Sequence, residues 1–581
     1  MKMVFLSINK KEKKMKLIII EAPGKINKVK EAIAFLTDSS DYEVIATSGQ
    51  IYDLPKKEIG IDYSDFSEKK ILRNKKISEK IIEKASKSEF IYLMTDNDDV
   101  GEQISRDVLY LINDVYKKPF SRVRISSMNP KEISNAIRYS KKNNLDQSMI
   151  DSSDARRIIN RTVGYGLFER HGGIEKAAPF GSLVIPVISE MMKPETICGF
   201  IKSFILNKNS KLPLKAKIPV SRKVFGNEEI IIKKLNKIIN KVSDNDIIIE
   251  DLKEDNNILN CYDALSKFSR HLDKDISFIE KNLQSSYERG NISYFRTPSR
   301  EAFQQDSEEQ KIMEKYFALE EQDIEQGDLD ELDILANSRR NKDPHLGISS
   351  VSSNVNINDD ISYMDDSEVI CSLVAKYNIL KMSDIDSRSI SCIVDLEEKD
   401  VLELRRMGVM IQDSSIKYEV ILKKPNKSIF EKVYDEDICF HDLIDKAVYK
   451  KHSPLGNAFH IQKNENTVLD IMEKNGIGKP STYGYQSSSI GKFFDNKMNP
   501  NGLAKAGYML AKKHAPELIN INNMKKIEEI LDNNEISFND KIEEGLKIIG
   551  LNKNDLYEKF KPDEDMKNKN YKKRKTDFEF N

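Results

Sequence analysis

A chain of 581 residues, at roughly 100 to 200 residues per domain, holds about three to five domains and can bury several separate cores. Lys+Arg 93 against Asp+Glu 94 give a formal net charge of -1, which excludes a uniformly basic nucleic-acid binder, so a surface for an anionic polymer has to be a local concentration of charge. Hydrophobic residues at 39% and charged residues at 32% describe a soluble globular protein with a heavily charged exterior. Cys198, Cys261, Cys371, Cys392 and Cys439 are too scattered for a CxxC pair, which argues against zinc ribbons and disulfide scaffolds and suits a reducing compartment. The apolar run at the N-terminus is too short for a signal-peptide core, and no segment approaches ~18 uninterrupted apolar residues. A cytoplasmic protein that does not cross a membrane is expected.

After a polar lead-in, KLIIIE (Lys16 to Glu21) is a continuous apolar run ending in an acid, the pattern of a buried parallel strand. Ile26, Val29, Ile33 and Leu36 then recur with helical period, and YEVIATSGQIYDLP predicts a second strand with a glycine-containing loop. SEFIYLMTDNDD (Ser88 to Asp99) is a third apolar strand closing on carboxylates, followed by a helical pattern, and RVRISSM with KEISNAIRY repeats strand then helix. Strands alternating with helices over 16–140 predict a small α/β domain with a mainly parallel sheet, whose sites lie at the carboxyl ends of strands. Glu21, Asp96 and Asp98 all fall there. Beyond 145 the pattern is mainly helical, interrupted from about 210 to 260 by β-rich stretches such as KLPLKAKIPV and NDIIIEDL. Residues 306–333 are acidic and 348–366 read as a polar loop.

Asp96 and Asp98, with Glu21 on a neighbouring strand, make an all-oxygen site suited to Mg2+, which takes one or two carboxylates and keeps several waters. A DxD alone is equally the acid-enriched start of a helix. Lys25, which opens the helix after Glu21, could hold a phosphate or deliver a proton.

IIIEAPGK, VIATSGQIYDLP and IYLMTDNDDVGEQI in this order resemble the Toprim domain of type IA DNA topoisomerases. The resemblance continues through IDSSDARRIINRTVGYGLF, LQSSYERGNISYFRTPSR, DPHLGI, NGIGKPSTYGYQSSSI and the closing LAKAGYMLAKKHAPELININNMKKIEEILD, over roughly residues 16 to 550. It implies a multidomain α/β plus α fold, a Rossmann-like Toprim domain followed by a toroidal core of helical domains and a β-rich arch. The implied division is 1–15 a polar extension, 16–142 Toprim, 143–208 and 463–560 a helical DNA-binding domain, 209–278 and 383–462 the arch, 279–382 the tyrosine domain and 561–581 a basic tail. It also implies Tyr294 as nucleophile, with Arg296, Glu21, Lys25 and His345 as catalytic partners. Glu21, Asp96 and Asp98 would hold Mg2+. Arg156, Arg157, Arg161, Ser481, Thr482 and Tyr483 would contact DNA.

The residues themselves support that chemistry. A tyrosine attacks phosphorus only if cations stabilise its phenolate and the phosphate, and Arg296 lies two residues on, where an extended segment puts both side chains on one face. With 22 tyrosines in the chain, a single one is ordinarily packing, and His345 alone is ordinarily a surface or core histidine. Arg156, Arg157 and Arg161 fall at helical spacing, as a solvated face or as backbone contacts that position rather than specify; Tyr483 either stacks a base or packs. GIGKPST is not a P-loop, because Pro480 follows the lysine and position 473 is Glu. The lack of a nucleotide site fits the ATP-independent transesterase that the resemblance implies, a monomer acting on single-stranded regions of DNA, nucleoid-associated if bacterial.

The chain departs from the family's pattern at four places. Val100 stands where a third acid of the Asp-x-Asp-x-Glu triplet is expected, with Asp99 or Glu102 as substitutes. Pro298 replaces Asp after Tyr-x-Arg-Thr. GSLVIP carries Ser182 and Val184 in place of a polar pair, and Leu-Gly-Ile-Ser follows His345. The alternative reading is therefore a DNA-binding or scaffold protein that keeps the clamp fold without turnover.

Overall fold

The computed structural model describes residues 15–36, 39–113, 117–140, 144–167, 179–206, 213–239, 247–252, 257–301, 346–351, 364–382, 386–424, 457–560 and 571–572. His345, the acidic segment 306–333, most of the polar loop 348–366 and nearly all of the basic tail lie outside the described residues.

The N-terminal sheet is built from β1 (Met15–Ile20), β2 (Tyr42–Ala46), β3 (Ser88–Met94) and β4 (Phe120–Arg122) in the order β2-β1-β3-β4, all parallel. Helices α1 (Ile26–Ile33), α2 (Lys75–Lys87), α3 (Asp99–Asn113) and α4 (Pro130–Tyr139) cover it. The apolar run of β1 follows from burial on both faces. Leu17 and Ile19 pack with Ile81, Ile104 and Val108 of α2 and α3, while Ile18 and Ile20 pack with Val29, Ile33 and Ile133 of α1 and α4. Each such fully buried side chain is worth roughly 1.5–3 kcal/mol. The register sets Ile20 against both Ala46 and Met94, so Glu21 and the acids after β3 leave the sheet side by side.

Helix α5 (Gln147–Arg161) starts on Asp146, whose carboxylate accepts the backbone N–H of Ser148 and Met149, and runs into a π-helical turn at Thr162–Leu167. The second sheet has six strands: β5 (Ile197–Leu206), β6 (Pro213–Ser221), β7 (Ile247–Leu252), β8 (Asp386–Asp395), β9 (Ser415–Lys424) and β10 (Ala458–Ile461), in the antiparallel order β7-β8-β9-β6-β5-β10. It therefore takes in Ile197–Leu206, which the expected boundary at 208 leaves with the helices. Gly199 marks that strand for a steric reason, since a Cβ there would collide with the His460 carbonyl of β10.

The remaining helices are α6 (Val184–Met192), α7 (Glu228–Ile239), α8 (Cys261–Leu272), α9 (Ile276–Glu288), α10 (Asp366–Met382) and α11 (Glu398–Arg406). After the second sheet come α12 (Asn464–Asn475), α13 (Tyr483–Gly491), α14 (Gly502–His514), α15 (Ile521–Asp532), α16 (Phe538–Ile548) and α17 (Lys553–Phe560). NGIGKPSTY is a stop and restart between two of them. Gly476 ends α12 in the left-handed conformation at φ +61, and Pro480 opens the short 3-10 turn that leads into α13.

Candidate active site

The tyrosine segment reaches the Toprim acids through the backbone. Ser293 forms an antiparallel bridge with Ser127, and the Tyr294 N–H donates to the Ser126 carbonyl at 2.7 Å. On its other side the same segment bridges Ile292 to Ser350. The Tyr294 hydroxyl thereby donates to Asp98 Oδ2 at 2.5 Å, across 196 residues of sequence. Asp98 Oδ1 accepts the Gly101 N–H at 2.7 Å at the start of α3, so one carboxylate both caps a helix and receives the phenol. Gly101 is required there, because a Cβ would collide with the Asp96 carbonyl.

Lys25, buried, forms an ion pair with Asp96, and its ammonium lies 4.6 Å from the centre of the Tyr287 ring. Tyr287 meets Tyr294 edge to face, with ring centres 5.3 Å apart. Burial, followed by repulsion from Asp96 and Asp98, pushes the Glu21 carboxyl up to about 8. Burial works against the Lys25 charge, but Asp96 outweighs it and holds the ammonium above its usual range. Burial and the neighbouring Asp98 and Asp96 carboxylates raise the Tyr294 phenol well above its ordinary value, with Arg296 opposing. Tyr294 is 2% exposed.

A cavity of about 650 Å³ is lined by Asp98, which receives the phenol, with Asp99, Val100, Arg296, Arg156, Lys479, Ser481 and Thr482. Of the two proposed substitutes for the third acid, Glu102 is excluded: it is fully buried and paired with Arg122 at 2.8 Å and Arg124 at 2.9 Å. Asp99 lines the cavity, its carboxyl raised by burial and eased by Lys479 and Arg156. The donor set of Glu21, Asp96 and Asp98 fits a hard cation in kind, and the upward shift at Glu21, caused first by burial and then by Asp96 and Asp98, shows that Lys25 and Arg296 only partly offset the clustered acids. Among the described residues, no three acids stand close enough together to enclose an ion.

The arginines of α5 separate by role. Arg156 lines the cavity, paired with Glu528 and lying 3.6 Å from Asp532. Arg157 is turned inward: Nε donates to Glu68 at 2.7 Å, and Nη2 pairs with Glu68 and Asp154. Arg161 donates to the carbonyls of Pro55, Glu58 and Ile59 and lies over the Tyr165 ring at 4.2 Å. Both hold α5 against the Toprim loop, which departs from the solvent-facing arrangement expected of phosphate contacts. Tyr483 is buried at 6% exposure and donates to Glu473 at 3.1 Å, so of its two sequence readings the packed one describes its placement. Ser481 and Thr482 border the cavity as expected. Sequence reasoning missed Lys479, which pairs with Asp532 at 2.6 Å, although the GKPST motif contained it. It also missed Tyr287 and Arg122, which lie within the stretches LQSSYERGNISYFRTPSR and RVRISSM but were not singled out, and Glu280, for which no motif offers a signal.

The sheet's strand-end acids thus stand against a tyrosine from far along the chain. Residues 16–128 match the Toprim domain model. Segments of the chain are similar to "DNA topoisomerase 1" of Mycoplasmoides gallisepticum, 29% identical over 218 residues, 32% of this chain and 29% of that protein. They are also similar to "DNA topoisomerase 1" of Rickettsia prowazekii, 34% identical over 164 residues, 26% of this chain and 20% of that protein. The aligned part thus spans less than a third of either relative. The full-length topoisomerase I of Thermotoga maritima superposes with a TM-score of 0.56 at 17% identity, covering 93% of this chain and 90% of that one. The chain thus shares the fold of that topoisomerase I, with the Toprim domain at its N-terminal end.

Proposed function

We propose that the chain is an ATP-independent type IA topoisomerase that cuts one DNA strand, holds the 5′ phosphate on Tyr294, passes a strand through the gap and reseals. The observation that carries this reading is the hydrogen bond from the Tyr294 hydroxyl to Asp98 at 2.5 Å. As Tyr294 Oη attacks phosphorus, its proton passes to Asp98 along that bond. Arg296 stabilises the charge on the phosphate. The departing 3′ oxygen takes its proton from Glu21, whose carboxyl, held near 8, is protonated at neutral pH. Lys25, tied to Asp96, keeps the acids in place and remains charged. Resealing runs the same transfers in reverse. Glu21, Asp96 and Asp98, which as placed do not enclose an ion, are the acids that would supply ligands on closing around Mg2+, and the ion when bound would supply positive charge to align the broken end for religation.

In this reading Arg156, Lys479, Ser481 and Thr482 bind single-stranded DNA along the cavity. Arg157, Arg161 and Tyr483 support that wall from behind. His345 is carried as a further phosphate contact on the motif order alone. The protein acts as a monomer in the cytoplasm. A second reading rests on Val100 and Pro298: a DNA-binding clamp without turnover. Incubation with negatively supercoiled plasmid, with and without Mg2+, beside Tyr294→Phe separates them. Relaxation that Tyr294→Phe abolishes, with a covalent DNA adduct trapped by denaturant, is expected; single-strand binding with no adduct under any condition would leave the clamp.

A further inference from the structure

Arg296 is held from behind by two groups. Its guanidinium carbon lies 4.9 Å from the centre of the Phe295 ring, and its Nη2 lies 3.6 Å from Glu280 Oε1, with both side chains largely buried. Arg296 also lines the cavity, and its buried Nε has no hydrogen-bond partner among the described residues. The cation is therefore anchored on one side and has a donor to spare on the other.

Glu280 comes from the middle of α9, the helix that delivers the tyrosine segment. Its carboxylate occupies the space where Gly484 would carry a Cβ: any side chain there collides with Glu280 Oε2 and Cδ. Gly484 sits in the first turn of α13, two residues after Thr482, which with Ser481 borders the cavity. Its φ is not positive, so backbone freedom does not call for glycine, and glycine is a poor helix residue. What the position needs is the empty volume beside a buried carboxylate.

We infer that Glu280 is a positioning residue for Arg296, and that Gly484 is the vacancy that admits it. The pair ties the helix behind the nucleophile to the helix behind the DNA-binding wall, so that the guanidinium points one face at the scissile phosphate. This rests on the topoisomerase reading of Tyr294 and Arg296. An arginine freed from Glu280 keeps its charge and still attracts DNA, but it loses its orientation, and misplacement by about 1 Å can cost ~100-fold in rate. The signature is therefore a loss in rate without a loss in binding.

The test measures single-turnover adduct formation on a single-stranded oligonucleotide, and separately the affinity for that strand by fluorescence anisotropy in a Tyr294→Phe background. Glu280→Ala should slow adduct formation ~10- to 100-fold and leave affinity within about twofold. Glu280→Gln keeps an acceptor and the shape, so it should recover part of the rate, and it carries the test if the alanine variant does not fold. Gly484→Ala should slow the parent but add nothing in the Glu280→Ala background, where the space has been cleared. An unchanged rate in Glu280→Ala and Glu280→Gln, or an equal effect of Gly484→Ala in both backgrounds, overturns the inference alone. A parent that forms no adduct overturns the topoisomerase reading, and this inference falls with it.

Discussion

Arg122 and Asp96 are joined through the main chain: Nη2 of Arg122 donates to the Asp96 carbonyl at 2.7 Å. The same guanidinium donates to the carbonyls of Leu93, Thr95 and Val123 and, through Nε, to Glu102 at 2.8 Å. The side chain is fully buried and fixes the path of the acid-bearing loop as it leaves β3. Replacing it by methionine leaves several buried carbonyls unpaired and Glu102 with Arg124 and the Asp146 N–H. A loss of about 3–5 kcal/mol in urea unfolding is expected. A loss under about 1 kcal/mol would mean that Arg124 and water suffice.

The state of Glu21 gives the site a pH dependence. Its carboxyl is raised to about 8, so the proton that the proposed mechanism gives to the leaving 3′ oxygen is present at neutrality and lost as pH climbs through 8. Metal-free adduct formation should therefore decline above that pH, and Glu21→Gln should remove the decline along with most of the rate. The same shift bears on stability. The folded protein holds the proton more tightly than the unfolded chain, so stability falls as pH rises from the ordinary carboxyl range toward 8. Glu21→Gln should accordingly be more stable than the parent at pH 8 and above in thermal unfolding; equal stability there would contradict the assigned shift.

Val100 leaves the third acidic position apolar, and neither neighbour compensates in space, since Glu102 is consumed by Arg122 and Asp99 faces Lys479 and Arg156. Val100→Glu should lower the Mg2+ concentration needed for half-maximal relaxation several-fold, while the metal-free adduct yield stays the same. A magnesium titration of the two proteins decides it. Overlapping curves would show that Asp99 already serves.

Asp154 joins α5 to the Toprim domain. It is buried beside Arg106 and Arg157, in a network that continues through Glu68, Lys70 and Asp107. Burial opposes its charge, but Arg106, Arg157 and Lys70 outweigh that and hold the carboxyl far below its usual range. Since the folded pKa is depressed, this stabilisation is present above about pH 3.9 and drains away as pH falls below it. Asp154→Asn should cost about 3 kcal/mol at pH 7, with the gap to the parent closing in acid. Single-strand affinity at matched salt should hold for Asp154→Asn and drop for Arg156→Glu, with a shallower salt dependence in the latter. Equal losses of affinity would return Arg157 and its partners to the DNA path.

What the sequence made legible was whatever depends on local order. The apolar run 16–20 ending in Glu21, and the DNDD after a second such run, announce a parallel sheet with acids at its carboxyl edge, because both signals are written within a few consecutive residues. Arg156, Arg157 and Arg161 show the limit. Helical spacing places them on adjoining faces, but whether each meets solvent, Glu68 or a loop carbonyl depends on segments some hundred residues away. Ile197–Leu206 hid as a strand because its glycine signals a close approach to β10, which lies far along the chain. Glu280 and Gly484 carry no motif, and only packing reveals that one occupies the room the other leaves.

The Ser127–Ser293 bridge and the Tyr294-to-Ser126 backbone bond form a seam only a few hydrogen bonds wide, with the nucleophile shut behind it at 2% exposure. On the proposed reading, a strand to be cut would reach Tyr294 when that seam parts. The amide proton of Tyr294 is then a built-in reporter, protected while the two domains are zipped together and exchanging with solvent each time they come apart. Its exchange rate, read by mass spectrometry with and without single-stranded DNA, would count the openings of the gate without any need to observe cleavage.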